Sequence, residues 1–165
     1  MSDTDQQRVL KRIVELGDSK QRITADDLPF IIADVLERQQ IEHVSLARCD
    51  LESQWGKQAT ASIELVYDEK TYSAEGKGNG GYDAFMAALQ KIVPQLGIAL
   101  PVLYDYKVHI PRGGQSSALT EASITWQFPD GKKITTRSTN ANQVYAAIEA
   151  TLRLINLLIA VLGSE

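Results

Sequence analysis

The sequence predicts an α+β domain made of two βββα repeats with antiparallel sheets, preceded by a short helical linker subdomain. Three observations carry that prediction. First, the chain writes nearly the same pattern twice, about 60 residues apart. One copy runs Ala61-Ser62-Ile63-Glu64-Leu65-Val66-Tyr67, a short polar turn, Thr71-Tyr72-Ser73-Ala74, a Gly/Asn-rich loop and an Ala-rich helix from about Asp83. The other runs Ala122-Ser123-Ile124-Thr125-Trp126-Gln127-Phe128, a Pro-Asp-Gly turn, Lys133-Ile134-Thr135-Thr136, a Ser-Thr-Asn-Ala-Asn loop and a second Ala-rich helix from about Gln143. Second, each copy opens with one further strand pattern, near His43 to Asp50 and near Leu103 to Ile110. Third, the residues up to about Gln39 carry helical periodicity and have no counterpart in either copy. The expected boundaries are therefore 1–39 for the linker subdomain and 40–165 for the duplicated domain, with repeat one at about 40–99 and repeat two at about 100–165. Such a duplication lets each sheet and helix bury a face against its twin. It also creates a seam where two loop-to-helix junctions meet, and the function is expected there.

The elements follow in order. Val9, Leu10, Ile13, Val14 and Leu16 have the spacing of one helical face over residues 5–16, and Gly17-Asp18-Ser19 stops that helix. Thr24-Ala25-Asp26-Asp27-Leu28 offers a cap with acidic residues placed well against the helix dipole, and Phe30, Ile31, Val35 and Leu36 supply a second apolar stripe. From Ile41 the period becomes two. Val44, Leu46, Ile63, Leu65 and Tyr67 alternate with polar neighbours, as strands with one wet face do. Leu51 to Lys57, holding Trp55-Gly56, reads as a loop or bulge. The first repeat helix places Phe85, Ala88, Leu89, Ile92 and Val93 on one stripe and ends at Pro94 and Gly97. Tyr104, Tyr106, Val108 and Ile110 alternate in the next strand, and Pro111-Arg112-Gly113-Gly114 turns the chain. Pro129-Asp130-Gly131 is a hairpin signal. The last helix carries Val144, Ile148, Leu152, Ile155 and Ile159, but Leu154, Leu157, Leu158 and Val161 make its end apolar all round. A helix without a wet face needs cover on every side, and a homodimer is expected to supply it.

Composition narrows the function classes. Apolar content of 44% and charged content of 23% are ordinary for a folded domain. A net charge of -4, with scattered Lys and Arg, argues against nucleic acid and anionic membranes as partners. Cys49 is the only cysteine, so no intrachain disulfide is possible, and a cytoplasmic location is the expectation. The polar, acidic Met1-Ser2-Asp3-Thr4-Asp5 is unlike a targeting peptide. The apolar run Leu154 to Leu162 is too short to span a bilayer and is expected at a subunit interface.

Gly76-Lys77-Gly78-Asn79-Gly80-Gly81 satisfies the GxGxxG pattern between a strand and a helix. A dinucleotide site is nevertheless disfavoured: the preceding strand is the return arm of a hairpin, whereas the fingerprint follows the first strand of a parallel βαβ unit. Glycines also serve simply to turn the chain into a closely packed helix. A third reading joins the two halves of a zwitterion. Free N–H groups at a helix N-terminus bind a small carboxylate, and Asp83 in that first turn can hold an ammonium group, although Asp83 also suits plain compensation of the helix dipole. His43 and His109 lack metal-ligand spacing, and His109 is expected to face solvent opposite Val108 and Ile110. Ser116-Ser117 follows a glycine pair without a base or orienting partner. No catalytic constellation emerges.

Gly78-Asn79-Gly80-Gly81-Tyr82-Asp83-Ala84 resembles the C-terminal regulatory domain of the 2-isopropylmalate synthase and citramalate synthase family, whose members typically read Gly-Asn-Gly-Pro-Val-Asp-Ala. Asp105-Tyr106-Lys107-Val108 with Gly113-Gly114 and Ser117-Ala118, and Ser138-Thr139-Asn140 leading into Ala146-Ala147 and Asn156, are similar to later segments of that domain. Leu16 to Leu28 resembles the linker that joins it to the catalytic barrel. The resemblance implies an allosteric dimer domain that binds leucine, or isoleucine in citramalate synthases, for feedback inhibition. Acetyl-CoA would condense with a 2-oxo acid on a TIM barrel absent from this chain, in cis or in trans. The divalent metal would belong to that barrel, so no cofactor and no catalysis are expected here. Carried onto matching positions, the effector site comprises Gly78, Asn79, Gly80, Gly81, Tyr82 and Asp83, with Leu103, Tyr106 and Ile110 around the aliphatic side chain. Ser116, Thr120 and the loop Ser138, Thr139 and Asn140 stand nearby. Asp83 takes the ammonium, and backbone N–H groups take the carboxylate. The alternatives are a purely structural dimerisation module and a nucleotide binder.

Overall fold

The computed structural model describes residues 3–18, 43–110 and 120–163. The second linker helix, over residues 24–39, and Ser116 lie outside these residues. Helix α1 (Asp3–Asp18) covers the first apolar stripe. Repeat one is β1 (Val44–Glu52), β2 (Ala59–Tyr67), β3 (Lys70–Gly78) and α2 (Gly81–Ile92), with a 3-10 turn at Val93–Leu96. Repeat two is β4 (Val102–His109), β5 (Thr120–Gln127), β6 (Lys133–Asn140) and α3 (Gln143–Gly163). Each repeat forms an antiparallel three-stranded sheet, in the orders β1-β2-β3 and β4-β5-β6. The α+β fold and its βββα duplication are therefore as the sequence predicts.

The central strands explain themselves. Ala59, Ala61, Ile63 and Leu65 of β2, and Thr120, Ala122, Ile124 and Trp126 of β5, alternate with half-buried neighbours and are buried. The β2–β3 turn places Asp68 and Glu69 at φ 52° and 64°, the paired positive values that match the twist of a two-residue hairpin. In the other hairpin Gly131 takes φ 88° and donates its N–H to Phe128 O at 2.9 Å.

Two expectations need correction at the loops. The returning strands do not stop at Ala74 and Thr136; β3 runs to Gly78 and β6 to Asn140, so each strand-to-helix connection shrinks to two residues. Gly76 and Gly78 belong to a strand because α2 lies directly on them. A Cβ on Gly76 would sit 2.4 Å from Ala84 O and Ala88 N, and one on Gly78 2.5 Å from Asp83 Cβ. Likewise β1 extends to Glu52, so the loop expected at residues 51–57 begins only after it, and a separate bulge falls between Leu46 and Arg48. An equivalent bulge between Leu103 and Asp105 interrupts β4, so the duplication extends to its defects.

The third correction concerns α3. Most of its described apolar side chains are covered within the chain, because the helix lies between the two sheets. Ile148 and Ile155 join the core over sheet one, with Val44, Ile63, Leu65, Phe85 and Leu89. Leu154, Leu157 and Leu158, one helical face around, join the core over sheet two with Ile124 and Trp126. Over Gln143–Ala160 this helix is long and apolar enough to cross a membrane by composition alone, and burial between two sheets accounts for that composition.

Candidate functional site at the seam between the repeats

The two repeat helices begin next to each other, and their first turns are finished differently. The N-terminus of α3 is closed by its own loop: Asn142 Oδ1 accepts the N–H groups of Val144 (2.8 Å) and Tyr145 (3.2 Å), and Asn140 Oδ1 accepts that of Asn142. The N-terminus of α2 starts from Gly80, extended at φ -146° and ψ 175°, with no side-chain cap. Asp83 is exposed in its first turn. A Cβ on Gly81 would lie 3.4 Å from Val144 Cγ1 and 3.6 Å from Leu51 Cδ1, so the two helix starts are in contact distance at this point.

Tyr82 ties the junction to the second repeat. Its hydroxyl hydrogen-bonds to Thr151 Oγ1 at 2.7 Å, and the Thr151 hydroxyl donates to Ala147 O at 2.8 Å. Its ring stacks on Tyr106 at 5.6 Å and 6°, with Phe85 behind at 6.3 Å. Burial pushes the Tyr82 phenol well above its ordinary range; the Thr151 bond opposes that shift, while Tyr106 and Asp83 add to it. Burial also raises Tyr106. Since the fold favours the neutral phenol, this contribution to stability is fully present below pH ~10 and is lost as the pH rises further, where the unfolded chain ionises first. Alkaline unfolding curves are therefore expected to fall more steeply above pH ~10 for the wild type than for Tyr82→Phe.

Next to this stack, sheet two leaves an apolar wall open. Leu103, Tyr106 and Val108 pair with Trp126, Ile124 and Ala122, so all three stand on the inner face. The β4 bulge makes this possible, because strict alternation would put Leu103 and Tyr106 on opposite faces. It also corrects the expected alternation at Tyr104, whose ring instead sits under Lys133 Nζ at 3.7 Å. Leu103 remains 38% exposed and Ile110 65%. The reason lies in helix length. Pro94 ends α2 after Ile92, whereas α3 runs for 21 residues and reaches across β1 of the opposite sheet. Among the described residues no equivalent long helix lies on the inner face of β4. His109 pairs with Glu121 on the outer face and is exposed, as expected.

The structure thus brings Gly78 through Asp83 together with Tyr106 and the open β4 wall. Thr120 is buried on the inner face opposite Asn140, and Thr139 is exposed. Ser138 and Asn140 are engaged elsewhere: Ser138 Oγ and Asn140 Nδ2 donate to the two oxygens of Glu149 at 2.8 and 3.1 Å. Glu149 was not foreseen. Its signal lay in the duplication, for Ser138, Asn140 and Glu149 occupy the positions of Gly76, Gly78 and Ala87. Repeat one seats its helix by omitting side chains, and repeat two by hydrogen-bonding them. Thr151, also unforeseen, holds the position of Leu89. Among the described residues no group of three His, Cys, Asp or Glu could hold a metal ion.

The profile of the LeuA allosteric (dimerisation) domain matches residues 22–159. The chain belongs to that family. Relatives of this LeuA domain include a Methanosarcina mazei protein named as an (R)-citramalate synthase, 28% identical over 95% of the chain and 32% of the relative. A Methanopyrus kandleri protein of the same name is 32% identical over 92% of the chain and 30% of its own length. A 2-isopropylmalate synthase of Methanocaldococcus jannaschii is 29% identical over 92% of the chain and 29% of its own length. The LeuA domain spans about a third of the length of these curated relatives.

Proposed function

We propose that this LeuA domain senses a branched-chain amino acid, leucine first, and serves as the dimerising, feedback-inhibited part of a 2-isopropylmalate synthase-type enzyme. The observation that carries this reading is the uncapped α2 N-terminus standing beside exposed Asp83 and the open apolar wall of β4. An α-amino acid has three groups to satisfy. Its carboxylate suits the free backbone N–H groups of the first α2 turn. Its ammonium suits the Asp83 carboxylate, and its aliphatic side chain suits Tyr82, Leu103, Tyr106 and Ile110. The exposed apolar residues of β4, an edge strand, offer a second copy a surface to cover. Condensation of acetyl-CoA with a 2-oxo acid would be carried out by a catalytic barrel, in cis or in trans, and not by this chain.

A second reading, isoleucine in place of leucine, is favoured by the citramalate synthase names among the relatives. The two differ by a branch at Cβ rather than Cγ, a pocket-shape difference of about 1–3 kcal/mol. Calorimetric titration with leucine, isoleucine, alanine and NAD tests the whole proposal. One branched-chain amino acid should saturate near one site per chain, with no response to NAD. Asp83→Ala should then weaken binding by about tenfold to a hundredfold, the loss of one charge-assisted pairing, and leave the dimer intact by sedimentation. Binding that survives this change would sink the site assignment. The absence of binding by any amino acid would leave a structural dimerisation module.

A further inference from the structure

We infer that α3 couples the seam to the point where the N-terminal segment enters the fold, and that Asn156 is the positioning residue at the output end. Asn156 grips one residue twice: its Oδ1 accepts the Val44 N–H at 2.7 Å, and its Nδ2 donates to Val44 O at 3.1 Å. Val44 is buried and is the first residue of β1, where residues 1–43 join sheet one. Both hydrogen bonds belong to one amide, so rotation or displacement of that side chain makes or breaks them together.

The input end is on the same helix. Thr151, which holds the Tyr82 hydroxyl, stands five residues before Asn156, about 8 Å along the axis. Leu154 and Ile155 between them are fully buried against opposite sheets. A helix packed on two sides shifts as a body rather than bending locally. A displacement that begins at Tyr82 and Thr151 is therefore delivered to Asn156.

The grip is also absent from repeat one. Pro94 stands where Asn156 would, and Pro101 where Val44 would. A proline at the first has no amide to offer, and one at the second has no N–H to give. Packing of a βββα unit consequently does not require this contact, and its presence in repeat two alone marks the N-terminal junction. The inference deepens the sensing reading by naming how occupancy of the seam leaves it, and its test needs no amino acid, so the two can fail separately.

The test is hydrogen exchange of the Val44 amide in the purified chain, with Ile63 and Leu65 of the central strand β2 as internal reference. Tyr82→Phe removes the bond to Thr151 at the far end. It is expected to speed Val44 exchange by about fivefold relative to the reference amides. Asn156→Leu is expected to speed it by about tenfold, and Tyr82→Phe should then add nothing on that background. If Asn156→Leu does not fold, Asn156→Asp, which keeps the acceptor and gives up the donor, replaces it, and the added effect of Tyr82→Phe should shrink in proportion. Three outcomes overturn the inference: unchanged Val44 exchange in Tyr82→Phe, equal acceleration of Val44, Ile63 and Leu65, or an effect of Tyr82→Phe that persists undiminished without Asn156.

Discussion

Replacing Gly76 with alanine is expected to destabilise the domain by about 3 kcal/mol and lower its melting temperature by about 10 °C. The sign is the instructive part. A glycine in a strand is ordinarily improved by alanine, because the unfolded chain loses freedom and the strand gains a side chain. Here the added methyl would lie 2.4 Å from Ala84 O and from Ala88 N. Both are backbone atoms of α2, so no rotamer change relieves the clash, and the helix must lift from β3. Lifting it opens the contacts that bury Ala84, Phe85 and Ala88. It also displaces the first turn that carries Tyr82 and Asp83, so any effector binding should weaken together with stability. The matching position in repeat two provides the control. Ser138 already has a Cβ there, and Ser138→Ala removes only its hydrogen bond to Glu149, a loss of about 1–2 kcal/mol. Thermal denaturation of the two variants checks the comparison. An unchanged or higher melting temperature for Gly76→Ala would contradict the close-packing account.

Trp126→Ala is expected to remove about 3–5 kcal/mol, a large share of the stability of a typical domain. Trp126 is fully buried on the inner face of β5, and its Nε1 donates to Thr136 Oγ1 at 2.9 Å. Alanine leaves a large cavity between sheet two and α3 and strands the Thr136 hydroxyl in it. Trp126→Leu, the residue that repeat one carries at Leu65, should recover roughly half of the loss. The protein supplies its own optical readout, since the other tryptophan, Trp55, is fully exposed at the β1–β2 turn. Denaturant unfolding followed by emission should show a blue component in the wild type. Trp126→Leu, with only the solvated indole of Trp55 left, should lack it. Equal stability of the alanine variant and the wild type would mean that the core over sheet two is not where this structure places it.

Legibility differed by element. The strands β2 and β5 could be read directly, because one buried and one wetter face impose a period of two that survives any detail of packing. The helix stop at Pro94 was equally plain, since proline cannot continue the ladder. The open β4 wall that results from it was not. Whether a face is left bare depends on how far the opposite helix reaches, and helix length in one repeat says nothing of the sheet in the other until both are assembled. The β4 bulge was invisible for a related reason: an extra residue costs the sequence no apolar position, yet it reverses the face of everything before it. Leu103 was placed beside Tyr106 through family resemblance, and the bulge supplies the geometric reason.

Gly76 and Gly78 show the limit most clearly. As letters they resemble a phosphate loop or a flexible turn, and in the fold they are strand residues beneath a helix. Likewise the all-round apolar surface of α3 states that cover is needed without saying from where; it comes largely from two sheets of the same chain. By itself, then, the sequence determined the class of fold and the duplication, because these rest on local periodicity and repeated spacing. Only the tertiary structure decided which faces meet. It set α3 between the sheets, left β4 open, drew Ser138 and Asn140 onto Glu149, and put Asn156 on Val44 from 112 residues away. Those outcomes rest on distances between segments far apart in the chain, and no local pattern encodes them.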